Sequence, residues 1–367
     1  MNIRIKDICC FGKKSDIKAG EGNTKGKYMF FTSSIDKDKR IDKFDYDEEG
    51  IIMGTGGNAT LHYYSGKFAV STDCLVLLPN SSYKCKYLYY FFLHNMRVLE
   101  GGFRGAGLKH TSKSYIENIE LTKTHSLLEQ DKIISVLSNI DNTIVLQNKR
   151  LKLINELTRS LFIEMFGDPS TNPKGWSETT IGNECFYIKD GPHKSLPDIG
   201  KENSGHPFIS VRNIVNGYID LSTARYISDE DYNDAIKKCH PEKGDMLYSK
   251  GGTTGIAKLI DIDNKFANWV HVAVLKFDKV NLNGIFFENM LNGDYCYKQS
   301  QKLTKGIANK DLVLSAISQI KIYRPPIELQ NKFANFVRGT DKSKLAVKKS
   351  LEELEILKKS LMQKYFA

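Results

Sequence analysis

The run LEQDKIISVLSNIDNTIVLQNKRLKLINELTRSLFIEMFG, residues 128–167, returns in altered form as ELQNKFANFVRGTDKSKLAVKKSLEELEILKKSLMQKYFA, residues 328–367, without a gap. At this offset of 200 residues Gln130 meets Gln330, Lys132 meets Lys332, Asp141 meets Asp341, Lys149 meets Lys349 and Leu151 meets Leu351. Leu157, Ser160, Leu161 and Phe166 then meet Leu357, Ser360, Leu361 and Phe366. Register and hydrophobic phase are both kept, the signature of an internal repeat. Leu137, Ile144, Leu151 and Thr158 fall at one heptad core position and Ile140, Gln147, Ile154 and Leu161 at the other, which predicts a long helix. In the second copy these positions hold Val337, Lys344, Leu351 and Lys358, and Thr340, Val347, Leu354 and Leu361, a more basic seam. A helix of about 36–40 residues spans roughly 55–60 Å and cannot leave an apolar stripe in water, so the two are expected to pair.

The segments before each helix resemble one another more loosely. Lys67-Phe68-Ala69-Val70 matches Lys265-Phe266-Ala267-Asn268, and a glycine pair recurs at Gly56-Gly57 and Gly251-Gly252. Gly107 followed by Ile116 to Leu121 mirrors Gly306 followed by Ile317 to Ile322. The chain therefore reads as globule (1–126), helix (127–167), globule (168–325) and helix (326–367), with Phe166 to Gly175 and Pro325-Pro326 as helix-stopping boundaries. Short apolar runs at 50–53, 74–78, 244–248 and 272–275 predict strands, and 87–96 and 285–291 predict helices. Each globule is expected to be α+β with an antiparallel sheet.

A chain of 367 residues with 41% hydrophobic and 26% charged residues can bury more than one core. Its formal charge of +10 favours a polyanionic partner such as nucleic acid. The 7 cysteines contain no C-x-x-C pair, which argues against a disulfide framework or zinc knuckle and fits a reducing cytoplasm. No apolar h-region stands at the N-terminus and no stretch has the length of a membrane span, so a cytoplasmic protein is expected.

Catalytic signatures are missing. Gly54-Thr55-Gly56-Gly57 imitates a cofactor turn only weakly, and Gly26-Lys27-Tyr28 fails the spacing and hydroxyl of a phosphate-binding loop. Asp198 and Glu202 lie in the wrong order for nuclease chemistry, and the 8 histidines form no metal-binding pair. His271 beside Trp269 reads as a packed strand residue. The recurring polar and basic loops are the candidates for nucleic-acid contact: Thr55, Gly56, Gly57, Asn58, Arg104, Lys109, His110 and Ser112 in the first globule. In the second they are Arg212, Asn213, Lys250, Gly251, Gly252, Thr253, Thr254, Lys305, Asn309 and Lys310. Arg and Lys can bond guanine and Asn can bond adenine, Ser and Thr anchor phosphates, and glycine lets the backbone approach. Each glycine cluster also reads as a plain β-turn, and each charged residue as a solvated one.

Ser160-Leu161-Phe162, Met165-Phe166-Gly167-Asp168-Pro169, Asn172-Pro173-Lys174-Gly175-Trp176 and Pro325-Pro326-Ile327-Glu328-Leu329-Gln330 together resemble the specificity subunits of type I restriction-modification systems. The first copy departs from the pattern, with Ser126-Leu127-Leu128-Glu129-Gln130 in place of the Pro-Pro lead. The resemblance covers the whole chain and implies two target-recognition domains separated by two long antiparallel coiled-coil helices, a pseudo-twofold internal repeat. It implies that each domain reads one half of a bipartite double-stranded DNA target and that the helices set the spacer, as dimer geometry sets half-site spacing. It further implies a non-catalytic chain on which two methyltransferase subunits dock, with restriction subunits as further partners. S-adenosylmethionine, ATP and Mg²⁺ are then expected on those partners and no cofactor on this chain. Ile144, Leu151 and Leu354 are the candidate docking residues, unless helix pairing consumes them. A self-contained endonuclease and a DNA-free coiled-coil scaffold are the competing readings.

Overall fold

In the computed structural model, which describes residues 3–307 and 309–367, both repeats of the seam are single helices, Leu127–Phe166 and Ile327–Phe366. The chain divides into two compact units, and neither helix belongs to one alone. The first unit comprises Met1–Arg150 with Val347–Ala367, and the second Leu151–Ala346. Compact units thus cut across the four sequence segments, because the helix ends carry core residues.

In the first unit Ile133 and Leu137, near the start of one long helix, are buried in one core with Met362 and Phe366 at the end of the other. In the second unit Phe162 and Phe166 share a core with Phe333 and Val337. Each unit therefore holds a start and an end together, so the helices run antiparallel. The heptad positions face inward: Leu137, Ile140, Thr158, Val337 and Val347 are buried, and Ile144, Gln147, Leu151, Ile154, Lys344, Leu351, Leu354 and Lys358 are half-buried. Lys358 pairs with Asp141 at 2.6 Å, which places a charge of each helix against the other.

The first unit is built on a mixed six-stranded sheet: β1 (Cys9–Phe11), β2 (Tyr28–Phe31), β3 (Arg40–Ile41), β4 (Tyr46–Gly54), β5 (Thr60–Val70) and β6 (Cys74–Pro79), in the order β1-β6-β4-β5-β2-β3. Alternation along β4 sends Ile51 and Met53 into the core under helix Cys85–His94, and Ile52 to the opposite face with Phe31, Phe68 and Val76. In the second unit β7 (Ser177–Thr180), β8 (Cys185–Asp190), β9 (His206–Ile209), β10 (Arg225–Ile227), β11 (Met246–Ser249), β12 (Ala257–Leu259), β13 (Ala267–Asn268), β14 (Val272–Phe277) and β15 (Lys321–Arg324) form three sheets. Their orders are β12-β11-β14-β8, β10-β9-β13 and β15-β7.

The expected antiparallel sheet is present in the second unit as β12-β11-β14-β8, but two strand pairs depart from that expectation. β2 runs parallel to β5, with Phe30 opposite Ala69, and β9 runs parallel to β13, with Phe208 opposite Ala267. A parallel pair needs a long crossover, and in both units the chain makes that crossover before the Phe-Ala step that the repeat shares.

The motifs at the helix ends are structural. Gly167 caps the first long helix with φ +78 and its N–H donates to the Ile163 carbonyl at 2.7 Å. Trp176 folds back and donates from Nε1 to the Phe166 carbonyl at 2.8 Å, while Asn172 exchanges two bonds with the Trp176 main chain. No helix among the described residues is long and apolar enough to cross a membrane.

Candidate nucleic-acid interface

The glycine pair and the basic loop, distant in sequence, meet in the same way in both units. In the first, Arg104 and His110 exchange main-chain hydrogen bonds at 2.9 Å, closing a loop, and the Gly57 N–H donates to the Lys109 carbonyl at 2.8 Å. In the second, Lys305 and Asp311 exchange bonds at 2.9 Å and the Gly252 N–H donates to the Lys310 carbonyl at 3.1 Å. The structural counterpart of Gly306 is thus Gly105, not Gly107, and a constant offset of 201 residues runs from Arg104/Lys305 to Ile119/Ile320. Gly57 and Gly252 (φ +81 and +69) and Gly105 and Gly306 (φ +140 and +86) take left-handed backbone at matching places, which other residues resist.

Arg104, Lys109, His110, Ser112 and Asn58 are exposed around this junction, as are Arg212, Gly252, Thr253, Lys305, Asn309 and Lys310, and Thr55, Gly56 and Gly57 are half-buried. Ser112 also caps the following helix, accepting from Tyr115 N–H. Three of the sequence candidates are buried and held by other residues. Lys250 is 6% exposed and its ammonium sits 3.5 Å from Asp190 and 3.0 Å from Asp311. Asn213 is 1% exposed and bonds Ser210, Asp220 and Thr223. Thr254, 2% exposed, is held by Thr304 and Gln301. Gly251 is buried as well, and a Cβ there would lie 2.0 Å from His271 Nδ1.

Replacing Lys250 by Met removes one partner of a buried pair, which typically costs ~3–5 kcal/mol. Asp190 keeps Lys238 at 2.8 Å and Asp311 is half-exposed, so Lys250→Met should cost about 2 kcal/mol, read from denaturant unfolding. A cost within ~0.5 kcal/mol would mark Lys250 as an ordinary surface lysine.

Beside the junction in the second unit lies a cleft of about 620 Å³ lined by Ser210, Val211, Arg212, Gly251, Gly252, Trp269, His271, Asn309 and Lys310. His271 belongs to the turn between β13 and β14, not to a strand, and packs edge-on against Trp269 at 4.7 Å between ring centroids. Trp269 Nε1 and His271 Nδ1 are buried and have no hydrogen-bond partner among the described residues. Neither residue stood among the sequence candidates. Their aromatic character was visible, but the turn that carries them to the cleft was not.

Elsewhere, Asp198 accepts main-chain N–H groups of Gly200 and Tyr226. Those bonds hold its carboxyl below the usual aspartate range and give it a turn-forming role. No cluster of three or more His, Cys, Asp or Glu residues that could hold a metal occurs among the described residues. Ile144, Leu151 and Leu354 are half-buried in the seam. The helices' outward apolar side chains include Val145 (66% exposed), Leu146, Leu153, Leu157, Leu345 and Ile356.

The family model of the type I restriction modification DNA specificity domain matches residues 1–156 and 173–356, one match for each repeat. The chain belongs to this family. The MjaVIII type I restriction enzyme specificity subunit of Methanocaldococcus jannaschii is 23% identical over 98% of this chain and 90% of its own length. The EcoDI specificity subunit of Escherichia coli is 21% identical over 54% of this chain and 46% of its own. In fold, the chain resembles the crystal structure of the type I restriction-modification S subunit from M. genitalium, with TM-score 0.72 and 18% identity over 100% of this chain and 96% of that one. The paired loop junctions are a part of each unit whose backbone recurs while its side chains differ.

Proposed function

We propose that this chain reads DNA sequence for a type I restriction-modification complex, each unit recognising one half of a bipartite duplex target, while partner subunits carry the chemistry. The observation that carries the reading is the duplicated junction. A glycine-pinned loop presents Arg104, Lys109 and His110 in one unit and Lys305, Asn309 and Lys310 in the other. One backbone serves as the holder and the variable side chains serve as the reader, which suits a protein whose two half-sites differ. Two methyltransferase subunits and restriction subunits are the partners in this reading, with S-adenosylmethionine, ATP and Mg²⁺ bound by them. The outward Val145, Leu146, Leu153, Leu157, Leu345 and Ile356 supply apolar surface for docking beyond what the helix seam consumes.

Counterion release makes the reading measurable. Removing one phosphate contact lowers the slope of log affinity against log salt by ~0.9. Lys109→Ala and Lys305→Ala, assayed in the complex with its methyltransferase subunits, should each lower that slope by about 1 while leaving stability within ~0.5 kcal/mol. Unchanged affinity and slope in both variants would contradict the assignment of these loops. Salt-insensitive partner binding without DNA affinity would favour the scaffold reading.

A further inference from the structure

The loop junctions share one more element, a turn whose side chains differ in chemical sense. In the first unit Ser71 N–H donates to Phe31 O, Cys74 N–H donates to Ser71 O, and Thr55 N–H donates to Asp73 O. In the second unit Trp269 N–H donates to Ile209 O, Val272 N–H donates to Trp269 O, and Lys250 N–H donates to His271 O. Asp73 is therefore the counterpart of His271, and Ser71 of Trp269. The Asp73 carbonyl is held a second and a third time, by the hydroxyls of Ser33 at 2.6 Å and Thr55 at 2.9 Å. Its backbone is fixed, but its side chain is exposed. Among the described residues its carboxylate makes no hydrogen bond and no ion pair.

An aspartate in a turn ordinarily earns its place by capping a neighbouring N–H or pairing with a cation. Asp73 does neither. It also stands in a unit whose junction is otherwise lined by Arg104, Lys109 and His110, where a negative charge weakens attraction to phosphate. A carboxylate accepts hydrogen bonds only, so it complements a base that offers an exocyclic amino group in the major groove, cytosine N4 or adenine N6. It repels the two acceptors of guanine, so it discriminates as well as binds. The second unit inverts this: His271 and Trp269 replace the carboxylate, and the cleft rim holds Arg212 and Lys310, donors suited to guanine O6 and N7.

Resting on the DNA-reading function above, we propose that Asp73 and its counterpart His271 determine the base edge that each unit accepts. Asp73 selects cytosine or adenine at one position of the first half-site. His271, with Arg212 and Lys310 around it, selects guanine at the corresponding position of the second.

The test is the methylated motif directed by the complete complex in cells, compared for the natural chain, Asp73→Ala, Asp73→Arg and His271→Ala. Asp73→Ala should relax one C or A position of the first half-site, by roughly 5- to 150-fold in preference, and leave the second half-site intact. That intact half reports, within the same molecule, that the variant is folded and assembled. Asp73→Arg should move the same position toward guanine, and His271→Ala should relax a guanine in the second half-site. First half-sites unchanged in both Asp73 variants, or relaxation at a G or T, would overturn the proposal. A natural chain that directs no motif would instead count against the DNA-reading function itself.

Discussion

Exchanging residues 1–126 for the corresponding segment of another member of the family is expected to replace one half of the recognised sequence and leave the other half untouched. The first unit closes its own core around β1–β6 and helix Cys85–His94, and its loop junction draws every main-chain bond from within that segment. What the incoming segment must preserve is its seat on the helices. Tyr87 and Phe91 pack on Phe366 with ring centroids 5.3 and 6.4 Å apart. Thr122 Oγ1 and Lys123 Nζ donate to the carbonyls of Phe366 and Lys364. With those kept, affinity for the old first half-site should fall by the ratio that separates specific from non-specific DNA binding, ~10³ or more. Binding titrations on duplexes that differ in one half measure this. A change in both half-sites, or in neither, would contradict two independent readers.

The second large effect is on stability. Gln330 is fully buried, and its Oε1 accepts the Asn283 N–H at 2.9 Å while its Nε2 donates to the carbonyls of Pro325 at 2.7 Å and Asn281 at 3.3 Å. Asn283 in turn caps helix Gly284–Asn292, so the glutamine ties the cap of a domain helix to the long helix. Gln130 does the same in the first unit, accepting from Lys84 N–H at 2.8 Å and donating to the carbonyls of His125 and Ser82. Gln330→Leu keeps the volume but strands the half-buried Asn283 N–H and the carbonyls of Pro325, which is buried, and Asn281, which lies at the surface. At ~1–3 kcal/mol for an unsatisfied group, and allowing partial relaxation, the loss should be about 3 kcal/mol in denaturant unfolding of the second unit. A loss below ~1 kcal/mol would mean that the bonds are made up elsewhere.

The helix seam was legible because a heptad is a local pattern, and the positions assigned from Leu137 to Leu161 do face inward. The identity of Gln130 and Gln330 was equally visible, but their work depends on carbonyls that lie 5 and 48 or 49 residues away. Sequence alone places Lys250 at the surface for a related reason. Its neighbours Gly251-Gly252-Thr253 look like a solvated loop, whereas its burial depends on Asp190 and Asp311, about sixty residues away on either side. Asn213 and Thr254 were drawn inward by partners in the same manner. Sequence alignment sets Gly107 opposite Gly306 because it tolerates a two-residue gap that main-chain pairing does not. Asp73 carries no motif at all. Only the repetition of one turn in two units sets it opposite His271.

Whether this one chain supplies the sequence specificity of a type I complex is decided by mapping methylated adenines across the genome of cells that express the cognate modification subunit, with and without this gene. A motif of two unlike halves separated by unspecified bases is expected, present only when the gene is present. The same motif in cells lacking the gene, or no motif in cells where the subunits assemble, would contradict it.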